Sequence, residues 1–514
     1  MATQGTLEAR EAMVPGTIHL LDVHSSGPDT VVLNPRPSAD PEDPLNWKPF
    51  RKQVAIWSVY VYLFGVSIAT TVHYSVLSDI AAETGITIAE LNTGTGLMIL
   101  FIGWGCLIWQ PIALVFGRRG VYVLTSLLGL APMVWTAYSK TSAECVYVLI
   151  LFGGNALAPL LAGLITNGLG WRAAIWFGTI VLAVTTIIIM FTLEETMYFR
   201  QTIEGFDDGI PAQDVHEFIV RPSKNDGTNP MAAVEEKTIS APLSPPSPVR
   251  GQIYPTPRTY KQKLHLFRDL AGRPSVKQMF VMMYRPLTLV FHFPNIVWAG
   301  FLYGTNLSWY AVCNGTMSLI LSGSPYNFSP SMVGVAYVSP FIGSVVGALW
   351  AGWIGDKIAL FLARRNGGIR EPEHRLWILT VSGLVGGGGF LLWGIGAANN
   401  MHFMGLIIGI GMVMSCVVVG GSTALAYTID CFKEISGESV ILVQVIRNTM
   451  GFGFSYGITP WIESQGLVKT FVAVAALSIF CNLTFLALVF WGKKLRRMSA
   501  KKYWELIDSL LFTH

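Results

Sequence analysis

Charge is what this sequence has least of. Asp, Glu, Lys and Arg make up 13% of its 514 residues, where a soluble globular chain carries roughly 25%. That leaves too little charge to coat the two or three water-facing domains such a length would otherwise imply. Cysteine is sparse as well, with 6 residues. Cys106, Cys145, Cys313, Cys416 and Cys481 sit in or beside apolar runs, so they read as packing residues rather than a disulfide framework. The nine histidines show no metal-ligand spacing. No Gly-rich stretch is followed by Lys-Ser/Thr, which argues against a nucleotide-driven pump. A Gly-x-Ser-x-Gly elbow is missing, as is any catalytic spacing, so the expectation is a protein that is not an enzyme and needs no cofactor. A net charge of +4 without a basic tract argues against a nucleic-acid partner. The polar, Pro-rich first 50 residues are not the h-region of a signal peptide.

Apolar residues are abundant instead: 52% of the chain, with a mean hydropathy of +0.49. A bilayer core of about 30 Å needs roughly 20 apolar residues as helix. Eleven such runs occur, near 53–75, 94–116, 120–138, 145–168, 173–193, 287–312, 331–355, 375–397, 402–428, 439–462 and 469–492. Each is expected to be helical, because backbone exposed to lipid must satisfy its own hydrogen bonds. The expected fold is an all-α polytopic membrane protein. A polar tail over 1–50 leads into a first bundle over 51–193. A linker over 194–286 with the Ser/Pro stretch "SAPLSPPSP" is too polar to order alone, a second bundle spans 287–492, and a tail covers 493–514. The segment 259–284 is amphipathic enough to lie along the membrane face ahead of the sixth run. Lys and Arg in short loops set the orientation. Arg51 and Lys52, Arg118 and Arg119, Lys357 to Arg370, and Lys493 to Arg497 are all expected on the cytoplasmic side. The stretch 313–330 has no Lys or Arg and is expected outside. It contains two glycosylation sequons, at Asn314 and Asn327.

Several stretches carry a resemblance. "GWIGDKIALFLARR", "DPEDPLNW" ahead of the first run, "EETMYFR" at 194–200 and "IDCFKEISGESVILVQVIRNTMGFGFSYGITPW" at 429–461 resemble the major facilitator superfamily, in particular its fungal drug–proton antiporter-like metabolite exporters. The stretch "GGNALAPLLAGLITNGLGWR" resembles the antiporter signature of the fifth helix, with Ala158 where that signature has Gly. The resemblance implies two six-helix bundles that rock about a central site. It also implies a charge latch at the cytoplasmic face. Gly352, Asp356, Lys357, Arg364 and Arg365 form it in the second half, with Gly352 and Gly355 permitting close helix approach and the three cations partnering Asp356. The first-half copy keeps Gly117, Arg118 and Arg119 but lacks the usual acid. Simple positive-inside anchoring is the alternative for both loops.

The family has twelve helices, so one is absent. Only "KTSAE" separates the third run from "CVYVLILFGGNALAP", which resembles the fifth helix rather than the fourth. Either one segment crosses improperly or the sequence lacks an exon, and the second explanation is favoured. In related antiporters the fourth helix supplies an Arg linked to proton coupling; no residue here takes that role.

Polar groups within apolar runs default to functional candidates. In the first run these are His73 and Tyr74, beside Thr70 and Thr71, which alternatively bond their own backbone; His73 alternatively sits at the interface. In the sixth run, Pro294 is expected to kink the helix. His292, Asn295, Tyr303, Asn306 and Tyr310 suggest a cavity face for an amphipathic substrate, or else interhelical packing. Asn295 and Asn306 lie 11 residues apart, on one face. In the tenth run Gln444, Arg447 and Asn448 follow Asp430, Lys433 and Glu434, and an ion pair from Arg447 to one of these acids is expected, either as a switch or as a packing device. The glycines of 383–396 and 405–421 let helices touch. The function expected is proton-coupled efflux of a small organic molecule, a fungal metabolite or toxic compound, by a monomer in the lipid bilayer. Plasma membrane is the default location, with a vacuolar or vesicular membrane as the alternative. The other readings are proton-coupled uptake of a polyamine-like or other nutrient solute, and a non-transporting membrane sensor.

Overall fold

A computed structural model describes residues 14–19, 43–71, 83, 88–138, 165–166, 170–196, 260–266 and 274–511. The run at 145–168, the junction proposed for the absent helix, His73, Tyr74 and most of the linker lie outside the described residues. The described chain is helical apart from one two-residue strand pair. Six of its helical segments are long and apolar enough to cross a membrane, or seven if one bent pair counts as a span.

The first bundle contributes α1 (Pro49–Thr71), α2 (Ile88–Phe116), α3 (Arg118–Tyr138) and α4 (Trp171–Thr192). Helix α4 packs against both α1 and α3. Ahead of α1, Asp43 caps a short 3-10 turn by accepting from the Leu45 N–H at 2.8 Å, and the Trp47 ring lies under the Arg51 guanidinium at 4.0 Å.

The second bundle opens with α5 (Val276–Thr288), whose start is fixed by a reciprocal capping box between Ser275 and Gln278. It meets α6 (Pro294–Ser322) at 93°. An amphipathic helix at a right angle to a span has the geometry of one lying along the membrane face. Pro294 does not kink α6 but begins it. At the first helical position the missing N–H would have no acceptor in any case. Helix α6 also runs on to Ser322, so Cys313–Ser322 is helix rather than loop, and Asn314 is buried against the Tyr337 hydroxyl at 2.7 Å. The sequon at Asn314 is therefore inaccessible. Asn327, in contrast, is exposed in the following loop.

The next span is assembled from α7 (Pro330–Ala336), α8 (Val338–Leu349), a π-helical turn over Trp350–Ile354 and α9 (Gly355–Arg365). A 3-10 stretch, Pro372–Ile378, leads into α10 (Leu379–Ala398), followed by α11 (Phe403–Cys431), α12 (Ser436–Gln465), α13 (Leu467–Leu483) and α14 (Phe485–Leu511). The glycine-rich helices touch as expected: a Cβ on Gly389 would stand 2.6 Å from the Gly409 carbonyl. Helix α14 continues through the stretch expected as a tail, burying Tyr503 and Trp504. Within the expected N-terminal tail, β1 (Ile18–His19) pairs antiparallel with β2 (Ile369–Arg370). The bundles meet where α2 packs along α12, and α12 also packs on α6.

Candidate functional site

Two groups of side chains answer to the sequence candidates, one at the basic face of the molecule and one where the bundles meet. At the basic face of the first bundle, Gly117 turns the chain between α2 and α3 at φ +100°, and a Cβ there would lie 2.5 Å from Glu195 Oε2. Only glycine suits both conditions. The Glu195 carboxylate then accepts the backbone N–H groups of Arg118 at 3.2 Å and Arg119 at 3.1 Å. These are orphan donors at a helix N-terminus, where negative charge is favoured. The buried Arg119 guanidinium donates to the carbonyls of Met190 and Leu193, both at 2.7 Å, and to that of Leu264. It thus closes the C-terminal end of α4 and holds a piece of the linker. Glu194 takes Arg51 at 2.6 Å. The acid that this half appeared to lack is therefore supplied from the far end of α4.

In the second bundle the network is larger. Asp356 pairs with Arg375 at 2.6 Å, and not with Lys357, Arg364 or Arg365 as expected. Lys357 instead stands over the Trp353 ring at 3.7 Å and Arg365 near the Phe361 ring at 5.7 Å. The helical phase explains this: Asp356 occupies the first turn of α9 and Arg364 and Arg365 the last. Nor do Gly352 and Gly355 mark a tight helix contact. Nothing lies within 4 Å of a Cβ on Gly352, and a Cβ on Gly355 would make only ordinary contact with Ile378 at 3.4 Å.

The buried centre of this network is a pair that sequence reasoning missed. Arg496, with a side chain 0% exposed, donates to Glu373 Oε1 at 2.9 Å and to Oε2 at 2.7 Å. The Tyr427 hydroxyl donates to the same carboxylate at 3.4 Å and accepts from Asn295 Nδ2 at 2.7 Å. On its other side Arg496 donates to the Pro15 carbonyl at 2.6 Å. The N-terminal segment is thereby strapped across the ends of α11 and α14. Gly16, at φ +78°, passes so close to α11 that a Cβ would come within 2.4 Å of the Asp430 carbonyl. Lys493 and Glu371 form a flanking pair, and Arg370 approaches Asp430 at 4.0 Å. In sequence, Lys493 and Arg496 read as positive-inside anchors. The available signal was their alignment with Glu371 and Glu373 at another basic end.

The sixth-run candidates divide. Asn295 belongs to this basic-face chain. Asn306 is buried and exchanges hydrogen bonds with Asn482, at 3.3 and 3.1 Å, while also accepting from Cys416 Sγ. Both asparagines are thus interhelical ties within one bundle. His292 sits at the bend before α6, its Nδ1 3.1 Å from the Thr288 carbonyl. Tyr310 packs against the outer core beside Trp309 and Phe454. Tyr303 lies against Gly421 of α11 and turns its ring toward α12.

There it meets Arg447. The guanidinium stands 4.7 Å from the Tyr303 ring centre, and its Nε and Nη2 donate to Asn448 Oδ1 at 3.1 and 3.0 Å. The expected ion pair with Asp430 or Glu434 does not form. Asp430 and Glu434 lie beyond the start of α12, a separation of 13 residues for the nearer of them, about 20 Å as helix. Asn448 is buried against Gly103 of α2, and Trp104 Nε1 reaches Thr449 Oγ1 across the boundary at 3.1 Å. Gln444 lies one turn earlier on α12. A separate cavity of about 660 Å³ lies between α8 and α11, with Met332, Ile342, Phe403 and Met412 in its wall. It is apolar and includes none of these candidates. No group of His, Cys, Asp and Glu among the described residues could hold a metal ion.

Long apolar helices in two bundles, with buried ionic ties at one face and a polar boundary between them, define a polytopic helical membrane protein. The comparisons specify which kind. The model of the Major Facilitator Superfamily matches residues 145–452, and the chain belongs to that family. It is 25% identical to an uncharacterised MFS-type transporter of Schizosaccharomyces pombe, over 93% of this chain and 90% of that one. It is 26% identical to protein HOL1 of Saccharomyces cerevisiae, over 93% and 92%. The MFS antiporter QDR3 of Candida albicans is 21% identical, over 85% of this chain and 77% of its own. The protein is accordingly an integral membrane transporter.

Proposed function

We propose that the protein exports a small amphipathic organic molecule in exchange for protons, acting as a monomer in the plasma membrane. Substrate would bind where α2, α6 and α12 meet, with Tyr303, Gln444, Arg447 and Asn448 facing it and His73 and Tyr74 contributing from the first bundle. The observation that carries the reading is the Arg447 guanidinium on a long apolar helix, bound to Asn448, which lies against α2 of the other bundle. Such a placement costs about 2.5–3.5 kcal/mol or more, a cost expected at a working site. Ties inside each bundle at the basic face would keep it rigid as the bundles rock: the ion pairs Glu373–Arg496 and Asp356–Arg375 in one, and the Glu195 carboxylate on the backbone N–H groups of Arg118 and Arg119 in the other. The similarity to an antiporter supports exchange.

Purified protein in vesicles with an imposed pH gradient tests the reading. Solute flux that follows the gradient and vanishes with a protonophore is the expected result. Solute binding without flux would favour a sensor, and flux indifferent to the gradient would remove the proton coupling.

A further inference from the structure

Arg447 has five N–H donors and, in this structure, one acceptor atom. Two of its donors converge on Asn448 Oδ1, its face rests on Tyr303, and the remaining three meet no acceptor among the described residues. Glu438, the acid on its own helix, lies nine positions earlier, about 13 Å along the axis, and is already paired with Arg285 at 3.1 Å. Two further polar atoms on the same two turns of α12 are buried without a partner: Gln444 Oε1 and Asn448 Nδ2. Buried polar groups are normally satisfied. The open edge of the half-buried Arg447 and the buried Asn448 Nδ2 are donors on adjacent residues that lack an acceptor, the pattern left when the missing partner belongs to a ligand. The missing partner of a guanidinium fork is planar and negative.

We propose that this transporter recognises an organic anion, through a carboxylate held by Arg447 and an apolar or aromatic body lying along Tyr303 and α2. The inference rests on the transporter reading above and deepens it. A carboxylate supplies two acceptor oxygens to the free edge of the guanidinium and neutralises a charge that apolar surroundings penalise. An amine in the same place would face that charge directly. The ring under Arg447 keeps the cation in position before substrate arrives. Asn448, which accepts two of the Arg447 donors, lies against Gly103 of α2, so an occupant held by Arg447 sits beside the seam between the bundles.

The test uses the full chain in detergent and a panel of monocarboxylates running from acetate to 4-phenylbutyrate, each beside its primary amide and its amine counterpart. Thermal unfolding is recorded with each probe, and flux of the same probes is measured in vesicles. The expected result is stabilisation by carboxylates but not by their amides or amines, strongest for the aromatic member, with Arg447→Gln weakening the apparent affinity at least tenfold and Arg447→Lys keeping part of it. Comparison of carboxylate with amide on the unaltered chain stands even if Arg447→Gln fails to fold. No stabilisation by any carboxylate, or equal stabilisation by carboxylate and amide, overturns the inference. Flux of an amine with none of its carboxylate overturns it while leaving the transporter reading intact. Carboxylate binding with no flux of any panel solute does the reverse.

Discussion

Two ion pairs of the second bundle, Glu373–Arg496 and Asp356–Arg375, differ in the one property that sets an ion pair's worth. Glu373 and Arg496 are buried in contact at 2.7 Å, so removing one partner strands the other without water. Asp356 and Arg375 are equally close, but the Asp356 side chain is 56% exposed, and solvent screens what is gained or lost there. Glu373→Gln is expected to destabilise the protein by about 3–5 kcal/mol, against within about 1 kcal/mol for Asp356→Asn. Thermal unfolding of the two variants in detergent compares them directly; equal shifts would contradict the assignment of Glu373–Arg496 as the structural centre. Asp356 was legible as the acid of a loop motif, because a single acid among basic residues stands out in sequence. Its partner was not, because Arg375 approaches from beyond the following turn, and proximity of that kind is a product of the fold. Arg496 was hidden by its own plausibility: a cation just past an apolar run needs no explanation beyond anchoring.

Individual elements show the same division. The apolar runs located most of the described helices, since length and hydrophobicity in lipid leave little alternative to helix. What they could not give were the ends, where polar residues join a helix because they find partners. Cys313–Ser322 continues α6 on the strength of Asn314 and Thr316, which bond Tyr337 and Trp393. Residues 493–511 continue α14 because Arg496 and Tyr503 are buried. The docked strand β1 was illegible, since two residues carry no periodicity, and it depends on Gly16 passing tightly over α11. Gly16→Val should release it. Hydrogen exchange at the Arg370 amide, opposite Ile18, is expected to rise, with transport helices unaffected; unchanged exchange would show that the pairing does not depend on this contact. Gly117→Ala forces a side chain against Glu195 in a left-handed turn, at a cost of order 1–3 kcal/mol. Lower thermal stability measures it, and a neutral result would contradict the turn described.

Arg118 and Arg119 open α3 against Glu195, just past the end of α4. The junction between these two helices lies outside the described residues, and the absence of a fourth helix is a proposal. Sequencing the transcript across the codons for Ser142 to Cys145 is expected to find additional coding sequence for about 30–40 residues, a span and its loop. An unbroken message encoding a normally abundant protein would contradict it.

At the scale of the whole molecule, lipid as solvent made the architecture readable. The charge shortage excluded a soluble protein, the runs gave two bundles, and motif resemblance gave the family. The site was readable only in part. Arg447, Gln444 and Asn448 were conspicuous as polar residues in an apolar run, but sequence supplied an acid as partner where the fold supplies Tyr303 and a neutral amide. The central claim is that the bundles separate and close along α2 and α12 as solute crosses. At the basic end of that seam a Cβ on Gly437 would lie 2.8 Å from Gln110 Nε2. Cysteines placed at positions 110 and 437 and joined by a short bifunctional maleimide would hold that face shut. Solute flux in vesicles is expected to stop in proportion to the fraction cross-linked, while either protein with only one of the two added cysteines, treated alike, keeps its flux. Undiminished flux through fully cross-linked protein would contradict the account.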